Sequence, residues 1–172
     1  SINSGEKIAL VGKTGTGKTT IINLILGFYK VTSGNILFDG NNIDDISLES
    51  LRKNISFIQQ NSYVFNDTIR KNIIVNNDSN ISDEKVIEIL KLVGLYKKVI
   101  SFKDGIYEYV NDNSFSKGEK QLLAFARSIA KESSIYIFDE PTSNVDIDSE
   151  RNIRNIINNV LKNATIIIIA HR

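Results

Sequence analysis

The chain has 172 residues, 41% of them hydrophobic, which fits one compact domain with a buried core. Its 21 Lys and Arg against 20 Asp and Glu give a formal charge of +1, so nothing global attracts nucleic acid or an anionic membrane surface, and any anion chemistry is local. Cysteine is absent, which excludes disulfides, thiolate metal sites and a cysteine nucleophile and fits a reducing compartment, while the apolar run Ile166 to Ala170 falls far short of the ~20 residues a membrane helix needs.

Ser1 to Gly5 carries no basic stretch leading into an apolar one, so no signal peptide is indicated, and an end directly after an apolar strand suggests a piece of a longer polypeptide. Lys7 to Val11 reads as a buried strand ended by glycine, and Lys18 to Leu26 as a helix closed by Gly27. Asn35 to Phe38 before Asp39-Gly40 reads as a strand entering a turn, and Ile55 to Ile58 as another strand. The stretch from about Asp67 to Lys103 lacks such strands and reads as a helical insertion; Ser82 to Val93 is periodic through Val86, Ile89, Leu90 and Val93, with Ser82 as cap and Gly94 as stop. Gly118 to Lys131 reads as a helix burying Leu122, Leu123, Phe125, Ala126 and Ile129. Ile135 to Phe138 is a continuous apolar strand, Asp148 to Leu161 a helix, and Thr165 to Ile169 a final strand. Continuous apolar strands alternating with helices predict an α/β fold with a parallel sheet covered on both faces.

Two motifs carry chemistry. Gly12-Lys13-Thr14-Gly15-Thr16-Gly17-Lys18-Thr19 lies between a strand and a helix, as a phosphate-binding loop must. Its glycines allow successive N–H groups to turn toward a phosphate chain, the helix adds its positive end, Lys18 supplies a point charge, and Thr19 offers a hydroxyl to Mg2+. Together with Thr20, these residues are the candidate ATP contacts. An ordinary glycine-rich turn is the bland alternative, and matching flanks weigh against it. Asp139-Glu140 follows an apolar strand at the end where a parallel sheet meets its ligand; Asp139 is the candidate Mg2+ ligand and Glu140 the candidate for polarising the attacking water. An acidic cap or a solvated strand end would read the same way in isolation.

With three further motifs in this order, the chain resembles the nucleotide-binding domain of ATP-binding cassette (ABC) proteins over nearly its whole length. Phe115-Ser116-Lys117-Gly118-Glu119 and the helix behind it resemble the ABC signature, Ser143-Asn144-Val145-Asp146 the D-loop, His171 the switch histidine and Gln60 the glutamine-loop residue, with Gln59 as the register alternative. Ser116 and Asp146 could equally be plain helix caps and His171 a plain loop residue; their joint order makes coincidence improbable. The segments Thr32 to Gly40 and Phe65 to Ile73 resemble the exporter branch, in which the domain is fused to membrane helices.

The resemblance implies a P-loop NTPase core, about residues 1–60 and 131–172, and a helical subdomain, about residues 61–130, with the family's N-terminal antiparallel strands and its adenine-stacking aromatic residue upstream of Ser1. It implies two domains packed head to tail around two ATP molecules on the cytoplasmic face of a membrane. Gln60 would touch metal and attacking water, His171 the terminal phosphate, and Ser116 and Gly118 the phosphate held by the partner domain; no nucleic acid is expected. The second domain is a like or an unlike one; Phe115, Lys117 and Glu119 depart from the family's Leu-Ser-Gly-Gly-Gln, which favours the unlike pairing, and Val110 to Ser114 lacks the Gly-Glu loop of exporters. A non-transport ABC ATPase acting on DNA or ribosomes, or a low-turnover nucleotide-gated regulator, is the competing reading.

Overall fold

A computed structural model of the chain describes residues 1–13, 15–75, 81–143 and 145–170. Strand β1 (Lys7–Val11) leads through the glycine-rich loop into helix α1 (Lys18–Ile25). A hairpin of two-residue strands, β2 (Leu37–Phe38) and β3 (Asn41–Asn42), then gives way to α2 (Leu48–Asn54), which runs directly into β4 (Ile55–Ile58). The hydroxyl of Ser47 caps α2 by accepting from Ser50 N at 3.2 Å.

The predicted helical insertion consists of α3 (Ile69–Ile73), α4 (Asp83–Leu92) and α5 (Tyr96–Ile100). Ser82 caps α4, as its place before Asp83-Glu84 predicts. This region also holds strand pairing that the sequence does not reveal: β5 (Asp67–Thr68) lies antiparallel to β6 (Tyr109–Val110). Two residues are too few for an alternating pattern to register.

Helix α6 (Lys117–Lys131), strand β7 (Ile135–Asp139), helix α7 (Ile147–Asn155) and strand β8 (Thr165–Ala170) complete the chain. The predicted helix from Asp148 to Leu161 is corrected at its far end, where Ile156–Val160 widens into a π turn. An apolar period cannot separate the two pitches over a single turn. The amine of Lys7, donating to Ile157 O at 2.6 Å, satisfies a carbonyl in that wider turn.

Four strands form one parallel sheet in the order β1-β8-β7-β4. Neighbouring residues of its central strands face opposite ways. Tyr136, Phe138 and Ile166 pack toward α6 and α7, while Ile137, Ile167 and Ile169 pack with Ile22, Leu26 and Leu51 from α1 and α2. Both faces are thus covered, and the strands read as unbroken apolar runs for that reason. Phe125 and Phe138 are fully buried with ring centroids 5.0 Å apart, and burial of each contributes on the order of 2–3 kcal/mol. Val86, Ile89, Leu90 and Val93 of the insertion are buried in the same core as α6.

Candidate functional site

In a parallel sheet all strands deliver their following loops to one edge. Val11 pairs with Ala170, Phe138 with Ile168, and Ile58 with Phe138, so the glycine-rich loop, Asp139-Glu140 and Gln59-Gln60 share that edge. Strand β8 separates β1 from β7, which sets the loop and Asp139 ~10 Å apart, at ~4.8 Å per strand.

Two glycines of the loop adopt a left-handed backbone. Gly15 and Gly17 take φ of +83° and +90°, values that would strain a side chain, and Gly17 is the N-cap of α1. Lys18 is 8% exposed, and its ammonium donates to Gly12 O at 2.5 Å and Lys13 O at 2.9 Å. The charge is therefore folded over the loop and held by main-chain carbonyls alone among the described residues. Thr16 Oγ1 donates to Lys13 O at 2.9 Å and tightens the same turn. Thr19 and Thr20 are exposed in the first turn of α1. Thr14, Asn144 and His171 lie outside the described residues.

Asp139 ends β7, half-buried beside Ile169 of β8. Glu140 follows with φ of +49°, a conformation costly to a residue with a Cβ. Its N–H donates to Ile169 O at 3.1 Å, and its carbonyl accepts from Ser143 N at 3.0 Å and Ser143 Oγ at 2.9 Å. Pinned this way, its carboxylate accepts from Gln60 Nε2 at 2.8 Å across 80 residues of sequence. Of the two adjacent glutamines, it is Gln60 that the structure brings to Glu140; Gln59 presents its carbonyl to Ser62 Oγ at 3.4 Å.

Ser116 is the N-cap of α6 in a reciprocal capping box: its Oγ accepts from Glu119 N at 3.2 Å, and Glu119 Oε2 accepts from Ser116 N at 2.8 Å. The Glu119 departure therefore has a local structural function, and Lys98 Nζ lies 3.8 Å from its other oxygen. Gly118 is buried, and an added Cβ would stand 2.7 Å from both Asp146 Oδ2 and Ser149 Oγ. Asp146 caps α7 by accepting from Ser149 N at 2.8 Å and Ser149 Oγ at 2.7 Å, bonds that hold its carboxyl below the ordinary range. The start of the signature-like helix thus packs on the D-loop-like segment.

Sequence reasoning missed the side chains that tie these loops together. Asn72 is fully buried; its Oδ1 accepts from Phe65 N at 2.8 Å and from an Arg127 nitrogen at 2.7 Å, while its Nδ2 donates to Phe65 O at 2.9 Å. Arg127 also donates to Tyr63 O at 2.8 Å and Asn72 O at 2.6 Å and lies over the Phe65 ring; burial pulls its pKa down to about 10. Gln121 is 3% exposed and accepts from Ser62 Oγ at 2.7 Å, but its Nε2 meets no acceptor among the described residues, a cost of about 1–3 kcal/mol. Only a buried polar residue in an apolar helix pattern could have signalled it. Among the described residues, no group of three or more acidic or His side chains converges as in a protein-only metal cage.

The family model described as "ABC transporter" matches residues 1–143. ATP-dependent lipid A-core flippases are similar along the chain: that of Francisella tularensis subsp. holarctica (strain OSU18) is 38% identical over 99% of it, and that of Blochmanniella floridana 42% over 100%. The chain spans 28% and 30% of the length of those relatives. A solved structure of a bacterial Atm1-family ABC exporter with ATP bound superposes with a TM-score of 0.90 at 35% identity, covering 99% of this chain and 30% of that one.

Proposed function

Because this chain belongs to the ABC transporter family, we propose that it is the ATP-binding and ATP-hydrolysing domain of an exporter. The Gln60–Glu140 hydrogen bond, formed at the strand edge shared with the glycine-rich loop, is the observation that carries the chemical part of the proposal. The relatives named above are flippases and an exporter, which leaves DNA or ribosome remodelling without support.

The residues present fit Mg-ATP. Gly12, Lys13, Thr14, Gly15, Thr16, Gly17, Thr19 and Thr20 supply main-chain and hydroxyl donors to the phosphates, and Lys18 exchanges two carbonyl partners for phosphate oxygens. Mg2+, when bound, would offset charge on the terminal phosphates, and Thr19, Gln60 and, through water, Asp139 would hold it, few enough for an ion that keeps several waters. Gln60 gives an amide hydrogen to Glu140 and so keeps Oε1 for metal or water. Glu140 then orients and polarises the attacking water, and His171 contacts the terminal phosphate.

The proposed architecture is a core of about residues 1–60 and 131–172 with a helical subdomain of about residues 61–130. A second ABC domain faces this one, its bound ATP meeting Ser116, the Gly118 backbone and the start of α6. The departures at Lys117 and Glu119 favour an unlike partner. A transmembrane domain on the same polypeptide receives the motion at the cytoplasmic face.

Mg-ATP hydrolysis by the full polypeptide carrying Glu140→Gln is the deciding measurement. Turnover should fall about 100-fold or more with ATP binding retained. Undiminished turnover overturns the role of Glu140.

A further inference from the structure

Three loops with separate duties meet around a cavity of about 310 Å³, whose wall includes Gln60, Ser62, Lys117, Gln121 and Ser143. Gln121 belongs to α6 and is buried, yet it keeps an amide whose Nε2 meets no acceptor among the described residues. Methionine has nearly the same length and shape and would leave no donor unsatisfied, so packing alone does not call for glutamine here. What the amide does make is the bond from Ser62 Oγ to its Oε1, at 2.7 Å. Ser62 lies two residues beyond Gln60, whose side chain holds the Glu140 carboxylate at 2.8 Å.

We propose that Gln121 is a positioning residue: through Ser62 it locks the Gln60 segment to the start of α6, so that the aim of Gln60 at Glu140 depends on where the signature-like helix stands. This inference rests on the roles proposed above for Gln60 and Glu140. The group that touches substrate remains Glu140. Gln121 acts through two hydrogen bonds and one short stretch of backbone, and it is retained at a cost in stability. Displacement of α6, as when a partner's phosphate docks at Ser116, would then reach Glu140 through side chains rather than through the sheet.

The test compares the full polypeptide with Gln121→Met, Ser62→Ala and the double variant. Gln121→Met should melt at the same or a higher temperature, keep KM for Mg-ATP within about twofold and lose about tenfold in kcat. Ser62→Ala should lose a similar factor, and the double variant should be no slower than either single one, because both remove the same bond. Undiminished kcat in Gln121→Met overturns the proposal, as expected of an amide that merely holds a water in the cavity. So do multiplicative losses in the double variant. If Gln121→Met fails to fold, full turnover in Ser62→Ala overturns the proposal on its own. Glu140→Gln in the same series separates the two readings: full turnover there refutes the role of Glu140, whereas loss there with undiminished turnover in Gln121→Met refutes only that of Gln121.

Discussion

Gly118→Ala should destabilise the fold by an amount that the packing at the start of α6 sets. The added Cβ would stand 2.7 Å from Asp146 Oδ2 and 2.7 Å from Ser149 Oγ, closer than real Cβ contacts come, and 3.2 Å from Ser149 Cβ, a tight contact. Withdrawal of either neighbour breaks a hydrogen bond: Asp146 accepts two from Ser149 as the cap of α7, and Ser149 is 6% exposed. Losing the cap costs about 0.5–2 kcal/mol, and overpacking without that loss costs about 1–3 kcal/mol. Alanine returns up to about 1 kcal/mol in helix propensity. The balance is a loss of about 1 kcal/mol, which for a domain of this size lowers Tm by about 2–4 °C. Thermal unfolding followed by circular dichroism, on Gly118→Ala, Asp146→Ala and the double variant, measures it. Because both changes act on one contact, the double variant should lose less than the sum. A Tm at or above the parent's in Gly118→Ala, or strict additivity, would refute the packing argument.

Asn72→Ala should be more damaging, at about 3 kcal/mol, because it strands the Phe65 N–H and removes one acceptor of the buried Arg127 guanidinium; a urea-denaturation midpoint equal to the parent's would contradict this. The depressed carboxyl of Asp146 makes an acid-side prediction. A folded-state pKa below the ordinary 3.8 contributes stability that is complete above that value and is lost as pH falls through the lower, folded value. Parent stability should therefore drop more steeply in that window than that of Asp146→Asn, and parallel stability curves from denaturant titrations across the acid range would count against it.

Much of the fold was legible because its signals are local. The glycines of Gly12 to Gly17 declare a turn from strand to helix, Ser82 and Asp146 announce helix starts within three residues, and the apolar runs at Ile135 and Thr165 declare strands buried on both faces. The π turn at Ile156–Val160 and the pairing of Asp67–Thr68 with Tyr109–Val110 were not legible, since one wide turn or a two-residue bridge leaves no period.

The candidate site divides along the same line. By itself the sequence determined which candidate residues exist and which end of which element each occupies: Lys18 at the start of α1, Asp139 at the end of β7 with Glu140 directly after it, Ser116 at the start of α6. Only the tertiary structure decided that Gln60 rather than Gln59 meets Glu140, that Glu140 is held in a left-handed backbone, and that Gly118 must stay bare beside Asp146. The physical reason is range. A cap or a glycine turn is decided within about four residues, whereas the Gln60–Glu140 bond is decided by the register of β4 on β7 and by the hydrogen bond that the Glu140 N–H donates to Ile169 O across the sheet, which no spacing in the chain encodes.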